Sequence, residues 1–560
     1  MDLTRRPLMP DSRLYPSAEW VRYGVHHPAL PRPRRLRRDW PLVVALAVVA
    51  LYVTFTFAAS HFHTPPSVIE GPEVKFMVSV VPYAAALVAA LAIFKPWPAF
   101  LAILLLTPFW DAAQVSLVTD NFQIILQTVF VVALGVGCVV SRGRRRGLPS
   151  TSGDDAKPTP VSRWTPSLAG GGAAVALIGF LALALASTYF SPNLIASRSV
   201  LVHGIIEPIA MGLILLALRP NRKDLVLIAI ALGVSAALGC MLNILQTVPG
   251  ATSLEMLQAK RLSFSLLTYN NVGLLGELLA MAVPLMLGVL LARRSLRLGA
   301  STSVLLLLAV AVCLAGLFLT FSKSAWLATS IATALLIVLA ARSWRSRAAI
   351  LLTAGLLSTA VVPWPALVLQ FTPSLNTAYR TVMVRIVGES RFDSWNPATV
   401  AGRGSVMFRV GAAEAGLHMA VDHPILGVGL NQYHLYYMDG YGVPPTDQRI
   451  DHAHSIWPEL AAEVGFPAMV LVVLIYAAAL LALWRVYRAP PDSATRLIAA
   501  TLMAAIISWL IVATAFGSDI YRPARNMSSE VVMMAVLVAS AFALARYSRA
   551  ATVRLRATQG

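Results

Sequence analysis

Long apolar runs recur along almost the whole chain, and most are long enough to cross a bilayer as a helix. A hydrocarbon layer of roughly 30 Å takes about 20 residues in that form. Inside it every backbone N–H and C=O must be satisfied within the protein, so runs of this length and continuity specify helices. They fall near 41–60, 76–94, 97–110, 122–140, 167–190, 199–218, 225–246, 271–292, 301–321, 325–341, 349–370, 456–484, 497–516 and 529–545. The pattern predicts an all-α polytopic membrane protein of about 14 transmembrane helices. The run 97–110 is short and carries Pro98 and Pro108, and only Ser322, Lys323 and Ser324 separate two of the others.

Composition excludes an ordinary soluble enzyme, because 57% of the 560 residues are hydrophobic and 13% are charged. Lys and Arg number 45 against 26 Asp and Glu, a net charge of +19. In a soluble protein that excess would suggest nucleic acid. Here most of the basic residues fall in alternate loops, as at 293–297 and 342–347, which is the signature of cytoplasmic loops. The charge therefore reads as topology, with both termini cytoplasmic and no nucleic-acid partner. Anionic membrane lipids are the expected neighbours of the basic tail. Cys138, Cys240 and Cys313 lie inside apolar runs, so no disulfide framework or zinc-type spacing is available. No G-x-x-x-x-G-K loop is present, which argues against an ATP-driven pump.

The expected organisation is a basic cytoplasmic tail (1–40), membrane helices with short loops (41–370), an external loop (371–455), three further membrane helices (456–545) and a cytoplasmic tail (546–560). Segment 141–166, rich in Ser, Pro and Arg, reads as a flexible cytoplasmic linker. The external loop is far longer than an ordinary connection, and function concentrates in such loops. It is partly helical by pattern, with stretches near 374–388 and 404–421, the second ended by Asp422-His423-Pro424. Gly427, Gly429 and Gly440 then suggest turns.

Ionisable residues inside a membrane are costly and need a partner or a task. His203, Glu207, Glu277, Glu459 and Glu463 fall within the expected spans, all in their external halves, and Glu530 begins the last. This one-sidedness points to a polar cavity open to the outside. The alternative is that the acids pair with external cations to hold helices together. Arg198, Lys260, Arg261, Lys323, Arg403, Arg409, Arg522 and Arg525 are the external cations. Lys323 sits in the three-residue turn, and Arg403 at a glycine-flanked helix start where N–H groups and a guanidinium can face an anion. Together they would suit a diphosphate at the membrane surface. His454, in Asp-His-Ala-His-Ser at 451–455, is placed to take a proton from a hydroxyl. A metal site built on Asp451, His452 and His454 lacks further ligands at fixed spacing.

The order of these features resembles the bacterial O-antigen ligases and the related O-antigen and exopolysaccharide polymerases. The resemblance covers roughly residues 260–480 and rests on TYNNVGLLGELLAMAVPL at 268–285, TFSKSAWLA at 320–328, AGRGSVMFRVGAAEAGLHMAVDHPILGVGLNQY at 401–433 and HAHSIWPELAAEVG at 452–465. It implies a GT-C-like fold with a large periplasmic loop in the bacterial inner membrane. It also implies glycosyl transfer from an undecaprenyl-diphosphate-linked glycan to lipid A-core or to another lipid-linked glycan, with no metal or other cofactor.

Carried onto this chain, the resemblance gives Arg403 the place of the Gly-Arg arginine and His454 that of the His-Asn histidine. Lys323 stands where arginine is usual, keeping charge but losing the bidentate fork. Ser455 replaces the usual asparagine, and Met407 a frequent tryptophan. Catalytic roles would fall to His454, Arg403 and Lys323. Substrate binding would fall to Arg198, Arg409, Glu463, Glu207, Glu277 and Asn271, the last in the Asn-rich helix start. Tyr433, Tyr436, Tyr437, Tyr441 and Trp457 could stack on sugars or form an interfacial belt. A transporter or flippase for lipid-linked saccharides shares the spans and the cations, but would carry polar groups through to the cytoplasmic side. A membrane scaffold of a polysaccharide assembly complex is a third reading, and leaves Glu207 and Glu277 without a task.

Overall fold

The computed structural model describes residues 89–110, 129–141, 168–247, 272–320, 322–341, 405–441, 452–516 and 529–559. All elements there are helical. In chain order they are α1 (Pro96–Trp110), α2 (Val129–Ser141), α3 (Leu168–Tyr189), α4 (Leu194–Val200), a π-helical segment (Leu201–Ile206), α5 (Glu207–Leu218), α6 (Arg222–Thr247), α7 (Val272–Leu291), α8 (Ala300–Thr320), α9 (Lys323–Ala340), α10 (Ser405–Asp422), α11 (Tyr433–Tyr436), α12 (Ile456–Val464), α13 (Phe466–Arg488), α14 (Ser493–Phe516) and α15 (Ser529–Gln559).

Among the described residues, seven stretches are long and apolar enough to cross a membrane: Gly171–Tyr189, Leu194–Leu218, Arg222–Leu245, Ala300–Thr320, Phe466–Arg488, Ser493–Thr514 and Val531–Val553. Pro96–Leu105, Val129–Ser141, Leu275–Leu291 and Ser324–Ala340 are shorter apolar helices. The chain is thus a multi-pass helical membrane protein. The expected runs 41–60 and 349–370, and most of 76–94, lie outside the described residues, as do residues 371–404 of the expected external loop.

One expected span is corrected. The run 456–484 is two helices, because Gly465 takes φ +97° between α12 and α13 and ends the first. The apolar span begins at Phe466. Glu459 and Glu463 therefore sit on α12, before the span, and not within it.

Local chemistry sets the ends. Asn193 caps α4 by accepting the Ala196 N–H at 3.1 Å. Asp492 caps α14 by accepting the Thr495 N–H at 2.8 Å, and Arg222 holds Asp492 at 2.6 Å. Arg219 closes α5 in the left-handed conformation.

Helix α7 is the central post, buried along most of its length and packed against α6, α8, α9 and α14. The contacts are close because small residues face their neighbours, as is usual between membrane helices. A methyl group at Gly288 would overlap Thr501, and one at Gly316 would overlap Cys240. Ser508 on α14 donates to the Ala280 carbonyl of α7 at 2.7 Å. α15 packs on α5, α13 and α14, and α3 packs on α13. Lipid-facing positions are apolar and open, among them Val175, Ile178, Leu305 and Leu308.

Candidate active site

The site is organised by a loop that doubles back onto α12. Val428 N–H donates to the Ala462 carbonyl (2.7 Å), Gly429 N–H to the Glu463 carbonyl (3.2 Å), and Phe466 N–H to the Pro424 carbonyl (3.0 Å). This explains the glycines. Gly427 (φ +65°) has backbone of Ala462 and Glu463 where a Cβ would stand, and Gly465 has the Ile425 carbonyl there. Gly465→Ala is therefore expected to destabilise the protein by at least about 1–3 kcal/mol from steric overlap and left-handed strain. A fall in melting temperature and in the monodisperse yield after solubilisation would show it.

Glu463 locks the loop. Its carboxylate, buried at 2% exposure, accepts the N–H groups of Asn431 (2.8 Å) and Tyr433 (3.1 Å), while the Gln432 N–H between them donates to the Gly429 carbonyl at 3.1 Å. Burial pushes the carboxyl up from 4.5 to about 7, against the downward pull of these donors. Sequence reasoning treats Glu463 as a substrate-binding group. The structure places both of its oxygens on backbone N–H groups.

The α3–α4 corner is fastened to α12 and to the same loop. Ser187 Oγ donates to the Glu463 carbonyl at 2.6 Å, and Ser197 Oγ to the Leu430 carbonyl at 2.5 Å. Gln432 Nε2 donates to Ser197 Oγ and to the Leu430 carbonyl, each at 3.2 Å. Arg198, next to Ser197, is exposed beside this junction. On the other side Tyr433 Oη donates to the Ala412 carbonyl of α10 at 2.6 Å. Gly416 of α10 packs on Ala453 and Pro458. Arg409, half-buried, lies about two turns earlier on α10.

His454 immediately precedes α12. It is half-buried, takes φ +53°, and its ring centroid lies 3.9 Å from that of His452. Ser455 Oγ donates to the Thr514 carbonyl at 3.0 Å, and Trp457 Nε1 to Thr514 Oγ1 at 2.7 Å. Ser455 thus anchors the backbone beside His454 to the end of α14. Lys323 is the first residue of α9, which packs along α14 and α7. There Gly276 abuts Ser322 and Ala325, and the neighbouring Glu277 is buried.

Arg198 and Glu463 border the loop at the C-terminal end of α12, His454 stands at the other end of that helix, and Arg409 lies on α10, which packs along α12. Lys323 and Glu277 lie at the α9–α7 junction, and both helices pack against α14, which carries Thr514. Glu207 is not gathered with them. It is buried on α5, which packs on α15, and it faces His203 Nδ1 at 3.1 Å across the π-helical turn. Arg403 and Asn271 lie outside the described residues, as does the Lys323 side chain.

The aromatic expectation is corrected in part. Tyr433 and Tyr437 are buried (0% and 5% exposed) and stack on each other at 5.9 Å. They are core, and burial pushes the Tyr433 phenol up. Tyr436, Tyr441 and Trp457 remain partly exposed. Tyr441 donates to Asp422 at 2.6 Å, which raises its phenol to about 12. Among the described residues no group of three or more His, Cys, Asp and Glu converges on a metal position. Asp451 lies outside them.

Gln432, Ser187, Ser197 and Thr514 were not singled out by sequence. Gln432 could have been, as a polar side chain inside a glycine-rich apolar run. The two serines and the threonine are ordinary helix-end residues until their partners are known.

No curated protein matches the chain. Residues 308–473, from α8 into α13, match the family model described as O-antigen ligase, and this segment carries His454, Glu463 and their glycine-rich loop.

Proposed function

We propose that the protein is an integral-membrane glycosyltransferase acting on the periplasmic face of the bacterial inner membrane. Its donor is an undecaprenyl-diphosphate-linked glycan, and its acceptor a hydroxyl of lipid A-core or of a growing lipid-linked polysaccharide. The observation that supports this reading is the fastening of α10, α12 and the α3–α4 corner to one another, on the elements that carry or adjoin Arg409, His454 and Arg198.

His454 takes the proton of the acceptor hydroxyl as its oxygen attacks the anomeric carbon of the donor. The bond from that carbon to the diphosphate oxygen breaks, and its electron pair leaves with the diphosphate. Lys323 and Arg403, with Arg198 and Arg409, hold the diphosphate and stabilise its growing charge. Attack opposite the leaving group inverts the anomeric configuration. A diphosphate is already a good leaving group, so the step needs cations and a base but no metal.

Incubation of detergent-solubilised protein with the lipid-linked donor and acceptor tests this. Release of undecaprenyl diphosphate with formation of glycosylated acceptor is expected. An unaltered donor in the absence of any compartment would instead favour a transporter.

A further inference from the structure

Helix α10 is buried on one side only. At about 100° per residue, Ala412, Ala415, Gly416 and Met419 share the side turned to α12 and are covered. Val410, Leu417 and Val421 fall within about 40° of one another on another side, and are 55%, 44% and 66% exposed. Glu414 and His418, also exposed, adjoin this stripe. The helix thus has a protein-facing sector, an open apolar sector and an open polar sector. Ile425, just past the helix end, is also 66% exposed.

The height of the C-terminal end of this stripe is fixed by a hydrogen bond. The Pro424 carbonyl accepts the N–H of Phe466 at 3.0 Å, and Phe466 is the first residue of the apolar span Phe466–Arg488. Pro424 and Ile425 therefore lie at the level where that span enters the bilayer. An amphipathic helix at this level buries its apolar stripe among headgroups and the first methylenes.

We propose that α10 is an interfacial helix, with Val410, Leu417, Val421 and Ile425 inserted into the lipid leaflet that α13 enters and Glu414 and His418 turned to water. The inference does not depend on the activity proposed above. Its consequence is that the unit holding His454 is fixed at the depth of lipid headgroups.

Nitroxide labels test it on the full chain in proteoliposomes. The variants are Val410→Cys, Leu417→Cys and Val421→Cys on the stripe, and Glu414→Cys and His418→Cys beside it. The three native cysteines are buried, and the labelled parent gives the background. Stripe labels are expected to collide several-fold more with oxygen than with a water-soluble nickel chelate, and flank labels the reverse. Nickel access at Leu417 and Val421 equal to that at His418 would overturn the proposal. So would stripe labels reached by neither reagent, which would show a second copy or another protein segment on this face.

Discussion

Replacing Glu463 with Ala is expected to release the 427–433 loop and to abolish transfer. The carboxylate is the acceptor for the Asn431 and Tyr433 N–H groups. Each buried donor left without a partner costs about 1–3 kcal/mol, so the loss approaches the whole stability of a local unit. Because Ser197, next to Arg198, is bonded to the Leu430 carbonyl of the same loop, Arg198 is expected to lose its position as well. Hydrogen exchange at Asn431–Tyr433 reads the release directly, and unchanged protection would contradict the clamp. The carboxyl titrates higher in the folded protein than at its ordinary 4.5, at about 7. Its contribution is therefore full below 4.5 and is lost as pH rises through about 7. Wild-type melting temperature should fall across this window. Glu463→Gln, which cannot ionise, should fall less over the same range while starting lower.

The second large effect is expected at His454. Removing a positioned base costs about 10²–10⁴-fold in rate. Asn is the informative replacement, because it tolerates the left-handed backbone that His454 adopts at φ +53° and is not a base. His454→Asn should keep the Ser455 and Trp457 bonds to Thr514 and the melting temperature of the parent. It should still bind donor. A variant that binds donor but does not turn over separates the chemical role from a structural one.

Much of the bundle was legible because its signal is local. A run such as 301–321 needs only length and hydropathy to be read as a span, and α8 occupies it. The break at Gly465 was not legible. An apolar run reads the same whether straight or broken, and the deciding contact is the Ile425 carbonyl about 40 residues earlier in the chain. That break moved Glu459 and Glu463 out of the membrane span. In the site, the glycine spacing, the glutamate and the histidine were all visible as residue types. What they bond to was not, since the partners of Glu463 are backbone N–H groups that no side-chain pattern reveals. The partners of Glu207 and Tyr433 were likewise not read from the sequence. Each looked available in sequence, and each is committed to a neighbour, His203 for one and the Ala412 carbonyl for the other.

The most direct measurement is glycan transfer from an undecaprenyl-diphosphate donor by purified wild type, His454→Asn and Arg403→Ala, with product anomeric configuration determined by NMR. Wild type should form an inverted linkage, and both variants should lose at least about 100-fold in rate. Full activity in both variants, or a retained configuration, would contradict direct displacement by a histidine-activated hydroxyl on a cation-held diphosphate.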